Sequence, residues 1–116
     1  MRDAYRTIER SGEFRQKIER SEFVGFAFAA TTEPEFASAL ESIRKEHFDA
    51  THHCWAFRLF AGERGRSADA GEPSGSAGKP ILSAIESADL FDAAVVVVRW
   101  FGGVKARRRD WWLSYL

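Results

Sequence analysis

The stretch that most constrains this chain is Ala93-Ala-Val-Val-Val-Val-Arg-Trp-Phe101, ended by Gly102-Gly103. β-Branched side chains suit a pleated strand. Both alternating faces of the run are apolar, which predicts a central strand covered on each side. With 116 residues, 45% of them hydrophobic, the chain has material for one small domain. No apolar run approaches the ~20 residues a membrane span requires, since Ala93 to Val98 is broken by Arg99. Met1-Arg-Asp-Ala-Tyr-Arg6 has no apolar segment behind a basic one, so no secretory leader is expected. A lone Cys54 forms no internal disulfide, and a cytoplasmic location is expected.

Other elements follow from periodicity. Residues 4–9 and 14–19 flank Arg10-Ser11-Gly12-Glu13 and predict an antiparallel hairpin. Phe23, Val24, Phe26 and Phe28, with small residues between them, predict a buried strand. Thr32-Glu-Pro-Glu35 is a helix start, with Thr32 as N-cap, Glu35 as its capping-box partner and Pro34 in the first turn. Phe36, Leu40, Ile43 and His47 then form one inward stripe, and the helix should end near His47 to Asp49. From Thr51 to Phe60 the period is two. His53, Trp55, Phe57 and Leu59 share one face, and His52, Cys54, Ala56 and Arg58 the other. Ala61 to Gly78 reads as a long functional loop, and Lys79-Pro80 opens a second helix with Ile81, Leu82 and Ile85 inward, ending near Ala88. The expected architecture is α+β, a mixed or antiparallel sheet with two helices packed on one face.

Net charge is zero, with 17 basic and 17 acidic residues. Four of the basic and one of the acidic side chains fall in 105–116, so the body carries −3 and the tail +3. Such a body is no generic polyanion binder. Gly71-Glu-Pro-Ser-Gly-Ser-Ala-Gly-Lys79 is a glycine-rich loop entering a helix, an arrangement that can aim backbone N–H groups and a lysine at an anion. It is not a P-loop, because Pro73 replaces the required Gly and Pro80 the Mg²⁺-binding hydroxyl residue. A loop whose glycines permit tight turns, with Glu72 and Ser74 capping backbone groups, is an equal reading. His47, His52, His53 and Cys54 do not have zinc-site spacing, so no metal is expected, and buried or sheet-face polar roles are favoured over a Cys54 nucleophile paired with His52. Arg58, Arg66, Lys79 and Arg99, with Trp100 and Phe101, offer a modest cationic and aromatic face for RNA, or solvated charge beside a core.

Asp49-Ala-Thr-His-His-Cys-Trp-Ala56, then Arg66-Ser-Ala-Asp-Ala-Gly-Glu-Pro-Ser-Gly-Ser-Ala-Gly-Lys-Pro-Ile-Leu82, then Val95-Val-Val-Val-Arg-Trp-Phe-Gly-Gly103, closely resemble the YigZ/IMPACT family. The resemblance runs from about Glu19 to Lys105. It implies an Impact N-terminal domain of the ribosomal protein S5 domain 2-like α+β fold. Family polar positions carried here are His52, Cys54, Asp69, Gly71, Glu72, Ser74, Gly75, Gly78, Lys79, Pro80 and Arg99, while Ala68 and Ala70 depart from the usual Ser and second Asp. The site expected from loop and sheet together comprises Asp69, Gly71, Glu72, Ser74, Gly75, Ser76, Gly78 and Lys79 as an anion- or ligand-binding loop, beside His52, Cys54, Arg58 and Arg99.

Relatives continue after the double glycine with a Gly-Thr-Gly-Gly segment, whereas this chain reads Val104-Lys-Ala-Arg-Arg-Arg-Asp-Trp-Trp-Leu-Ser-Tyr-Leu116. If Arg109 is encoded by CGG and Asp110 by GAC, a one-base shift across Arg109-Asp110-Trp111-Trp112 reads Gly-Thr-Gly-Gly, so the domain is expected over 1–105 with 106–116 an out-of-frame tail. The resemblance implies a noncatalytic regulatory module linked to translation, with RNA, the ribosome or a protein as partner, no membrane contact and no cofactor. Alternatives are an enzyme acting on a phosphorylated or nucleotide ligand, with Lys79 binding phosphate and His52, Cys54 or Glu72 moving protons, and a nonfunctional gene fragment.

Overall fold

The computed structural model describes residues 5–18, 21–70, 72 and 74–100, so Gly71, Gly102-Gly103 and the expected tail at 106–116 lie outside the described residues. In chain order come β1 (Gly12–Ile18), β2 (Ser21–Ala29), α1 (Glu33–Glu46), β3 (His52–Leu59), a 3₁₀ turn (Ala61–Glu63), β4 (Arg64–Ala68), α2 (Gly78–Ser87) and β5 (Ala93–Trp100). The strands form one sheet in the order β1-β2-β5-β3-β4, and every neighbouring pair is antiparallel. The fold is α+β, with β5 at its centre as the apolar run requires.

The helices do not share a face. Phe36, Leu40 and Ile43 of α1 pack with Phe57, Leu59, Ala94, Val96 and Val98, whereas Ile81, Ala84 and Ile85 of α2 pack with Cys54, Ala56, Ala93, Val95 and Val97. These sets have opposite parity along β3 and β5, so each helix covers one side. The expectation of a one-sided arrangement fails because β5 is apolar on both faces and each needs a cover. Topology shows how unusual the solution is. β2 and β3 run parallel with β5 between them, and β4 and β5 run parallel with β3 between them, so two crossovers of the same hand would put both helices on one side. One of the two is therefore of the uncommon left-handed kind.

The start and end of α1 follow local chemistry. Thr32 caps α1 by accepting the Glu35 amide at 3.2 Å, and the Glu35 carboxylate accepts the amide of Thr31 at 3.1 Å, closing the capping box one residue early. The helix stops at His47, whose N–H donates to the Ile43 carbonyl.

Two other expectations are corrected. β1 pairs with β2, from Ile18 opposite Ser21 to Gly12 opposite Ala27, rather than with residues 4–9. The apolar surface of β2 decides this: Phe14 lies over Gly25, where an added Cβ would stand 1.8 Å from the ring. The segment before β1 crosses elsewhere. Tyr5 stacks on Phe60, its hydroxyl donates to Asp92, and Arg6 bridges Leu90. The long loop after β3 also contains a strand, β4, which pairs from Arg64 opposite Leu59 to Ala68 opposite Trp55.

Candidate functional site

On the α2 face, β3 supplies His52 and Cys54, β5 supplies Arg99 opposite His52, and the segment leaving β4 supplies Asp69 and Glu72. Strand alternation puts the first three on one side. The loop is then drawn down by four sets of bonds. The Cys54 thiol donates to the Asp69 carbonyl at 3.0 Å, and His52 Nδ1 donates to the Ala70 carbonyl at 3.1 Å. Arg99 Nη1 donates to both Glu72 oxygens, at 2.7 and 2.6 Å. The Asp69 carboxylate accepts the amides of Gly75 at 2.9 Å, Ala77 at 3.2 Å and Gly78 at 2.8 Å.

The last set occupies the start of α2. A helix begins with N–H groups that have no partner in the helix, and Ala77 has no side-chain cap of its own, so Asp69 serves from outside. The glycine-rich loop thus does aim amides at an anion, and that anion is a carboxylate of the same chain. Burial would push the Asp69 acid upward, but the amides of Gly75, Gly78 and Ala77, together with Lys79, hold it below the ordinary aspartate value.

Cys54 is disfavoured as a nucleophile. Burial foremost, then the charges of Glu72 and Asp69, push its thiol up to about 12 against the pull of Arg99. A thiolate is the reactive form. His52 and Cys54 contact successive carbonyls of the loop rather than each other. Among the described residues, no group of three His, Cys, Asp or Glu side chains is placed to hold a metal ion.

The remaining expected residues are spread differently. Arg99 is 4% exposed, so it supports the loop from beneath and presents no surface. Arg58 shares its face but sits at the far end of β3, donating to the Leu90 carbonyl at 3.4 Å with its guanidinium 3.8 Å from the Phe91 ring centre. Arg66 lies across from Phe57 on the α1 face and pairs with Glu33, and Trp100 donates to Asp49, so the imagined cationic face is divided between two sides. Ser74 and Lys79 are exposed on the loop and at the start of α2, and Gly75 and Ser76 are half-buried.

Sequence reasoning noted Ala70 as a departure but missed its backbone, whose φ of 49° lies in the left-handed region that a Cβ disfavours. It sits where the resembled family has an Asp, a residue that enters this region more readily. It also missed Asp92, buried at φ 52°, which accepts the Phe60 amide at 3.0 Å and through its carbonyl the Ala30 amide at 2.9 Å. Asp92 carries no sequence signal beyond a short polar side chain near a turn, and the only signal at Ala70 is that departure from the family's Asp.

The sequence profile of the Impact N-terminal domain matches residues 19–111, a span that takes in every element of this cluster. The chain belongs to the Impact N-terminal domain family. IMPACT family member YvyE of Bacillus subtilis is 38% identical over 106 residues, covering 90% of this chain and 49% of that protein. IMPACT family member YigZ of Escherichia coli is 39% identical over 93 residues, covering 77% and 45%. A Thermus thermophilus IMPACT family member encoded in the pol 5′ region is 44% identical over 88 residues, covering 76% and 46%. The chain thus spans about half the length of the curated IMPACT relatives it matches. A crystal structure described as a hypothetical protein superposes with a TM-score of 0.84 at 30% identity, over 88% of this chain and 51% of that one. The two-domain translational regulator Yih1 shares the fold, with a TM-score of 0.56 at 24% identity over 89% and 41%.

Proposed function

We propose that this chain is a noncatalytic, cytosolic binding module linked to the regulation of translation, and that it meets ribosomal RNA through the 69–79 loop. The single observation that carries the reading is the Asp69 carboxylate bound to the amides of Gly75, Ala77 and Gly78. With Glu72 locked to Arg99, the acids, base and thiol of the cluster are spent on holding the loop in one shape. A loop held in this way presents Ser74 and Lys79 to a partner without a large ordering cost on binding. Relatives in the IMPACT family and the fold of a translational regulator support the link to translation. The buried free thiol suits a reducing compartment.

Cosedimentation with purified bacterial ribosomes at low and high salt tests this. The module is expected to pellet with ribosomes, with binding weakened by salt and lost in Lys79→Glu. Absence of any Lys79-dependent association with ribosomes, subunits or ribosomal RNA overturns it. Nucleotide or phosphoester turnover abolished by His52→Ala in a folded protein supports the enzymatic alternative instead. The reading also places the domain in 1–105 and treats 106–116 as an out-of-frame tail, which resequencing the codons for 102–116 tests.

A further inference from the structure

We propose that the groove between α1 and the edge strand β4 docks an extended segment of a partner protein. The segment carries a large apolar residue followed at alternate positions by two carboxylates. This surface lies on the sheet face opposite the 69–79 loop and is independent of the reading above.

Three observations carry it. First, β4 is the last strand of the sheet, pairing only with β3 among the described residues, so its outer edge offers backbone donors and acceptors. Second, an apolar groove of about 380 Å³ runs beside that edge, between Pro34, Ala37 and Leu40 of α1 and Arg66 of β4, over Trp55 and Phe57. A free strand edge next to a groove walled by a helix is the arrangement in which added strands are recognised. Main-chain pairing supplies affinity there, and alternate side chains supply selectivity.

Third, the charge on the rim specifies the partner. Arg64 and Arg66 both reach Glu33, at 3.1 Å each, and their side chains remain 61% and 54% exposed. Two guanidinium groups on one carboxylate leave the rim net positive, and arginine forks suit further carboxylates. Register orders the pattern. Arg66 is opposite Phe57 and Ala68 opposite Trp55, so Arg64, Arg66 and Ala68 share the groove side. A strand added antiparallel to β4 therefore places alternate residues opposite Ala68, Arg66 and Arg64 in turn. The first of these enters the groove beside Trp55 and the next two meet the arginines, giving the pattern apolar-x-acidic-x-acidic.

The test is a titration of the isotopically labelled chain, followed by amide and indole NMR signals, with the peptide Ac-TLTDTDT-NH₂ and its control Ac-TLTKTKT-NH₂. The acidic peptide is expected to shift the amides of 64–68 and the Trp55 indole saturably, with the lysine peptide at least about tenfold weaker. Ala37 is exposed, so Ala37→Trp fills the groove without touching the core and is expected to reduce binding as much. The proposal is overturned by no saturable shift at millimolar peptide, equal binding of both peptides, undiminished binding to Ala37→Trp, or self-association of the chain that Ala37→Trp abolishes. The last outcome would assign the groove to a second copy. Shifts confined to 69–79 would also overturn it, while leaving the ribosomal reading intact.

Discussion

The carboxylate of Asp69 accepts the amide of Gly78 at 2.8 Å, so the residue just past β4 caps the first turn of α2. One side chain thereby joins an edge strand, a glycine-rich loop and a helix. It does so as an anion, and this makes its contribution depend on pH.

Replacing Asp69 by Asn is expected to lower stability by about 1–2 kcal/mol near neutral pH, because the neutral amide accepts from fewer of the three N–H groups and lacks charge. The folded acid titrates below its ordinary value. Its contribution is therefore complete above about pH 5, where both folded and unfolded forms are ionised, and is lost as pH falls through the folded value. Urea denaturation should show the gap between wild type and Asp69→Asn constant at neutral pH and shrinking as the pH falls below about 5. A gap that stays constant would contradict the assignment.

The buried pair Glu72–Arg99 makes a different prediction. Its side chains are only 13% and 4% exposed, so removing one partner leaves a charge in a poorly solvated place. Glu72→Leu alone is expected to cost about 3–5 kcal/mol, and Arg99→Met alone a similar amount. The double replacement should cost much less than the two together, because no unpaired charge remains. A double-mutant cycle in urea measures this, and simple additivity would mean the two charges act independently.

How far this could be read in advance depended on what each residue answers to. β5 and the two faces of β3 were legible because the alternation of Cys54, Ala56 and Arg58 against Trp55, Phe57 and Leu59 is itself the packing pattern. The Thr32 cap and the α1 stripe were legible because both are local. β4 was not: Arg64-Gly-Arg-Ser-Ala has no apolar alternation, and it holds by pairing with β3, with Leu82 seated over Gly65. The side taken by each helix was hidden too, since an apolar stripe fits either face of β5 equally well. At the site, the resemblance named His52, Cys54, Asp69, Glu72 and Arg99, and in the fold these residues lie in one hydrogen-bonded cluster. Their use within the chain depends on a loop path that spacing alone does not give, and Arg58 and Arg66 were separated by the same three-dimensional facts.

Cys54 should be inert in the folded protein. With its thiol pushed up to about 12 and its hydrogen given to the Asp69 carbonyl, almost none is thiolate at pH 8. Alkylation by iodoacetamide at that pH is expected to be at least about a hundredfold slower than in the urea-unfolded chain. The linkage runs opposite to that of Asp69. A raised folded value stabilises the fold fully below the unfolded thiol's range near 9, and this stabilisation is lost as pH rises through the folded value. Rapid alkylation of the native chain would show that the thiol is exposed or ionised.

Gly78→Ala sets helix propensity against packing. Alanine in a helix is worth about 1 kcal/mol over glycine, so the change would stabilise α2 if nothing stood in the way. At Gly78, however, an added Cβ would lie 2.8 Å from the carbonyl carbon and nitrogen of Ala68 and 2.9 Å from its oxygen, all backbone atoms of β4. Backbone held in a sheet yields little, so α2 must shift and the Gly78 amide must leave the Asp69 carboxylate. A net loss of about 1–3 kcal/mol is expected. Ser83→Ala, at an exposed position of the same helix, should instead stabilise by a few tenths of a kcal/mol, as propensity alone dictates. Thermal melts of the two variants decide the point. A stabilising Gly78→Ala would mean that the close approach of α2 to β4, and with it the Asp69 cap, is not what holds the loop in place.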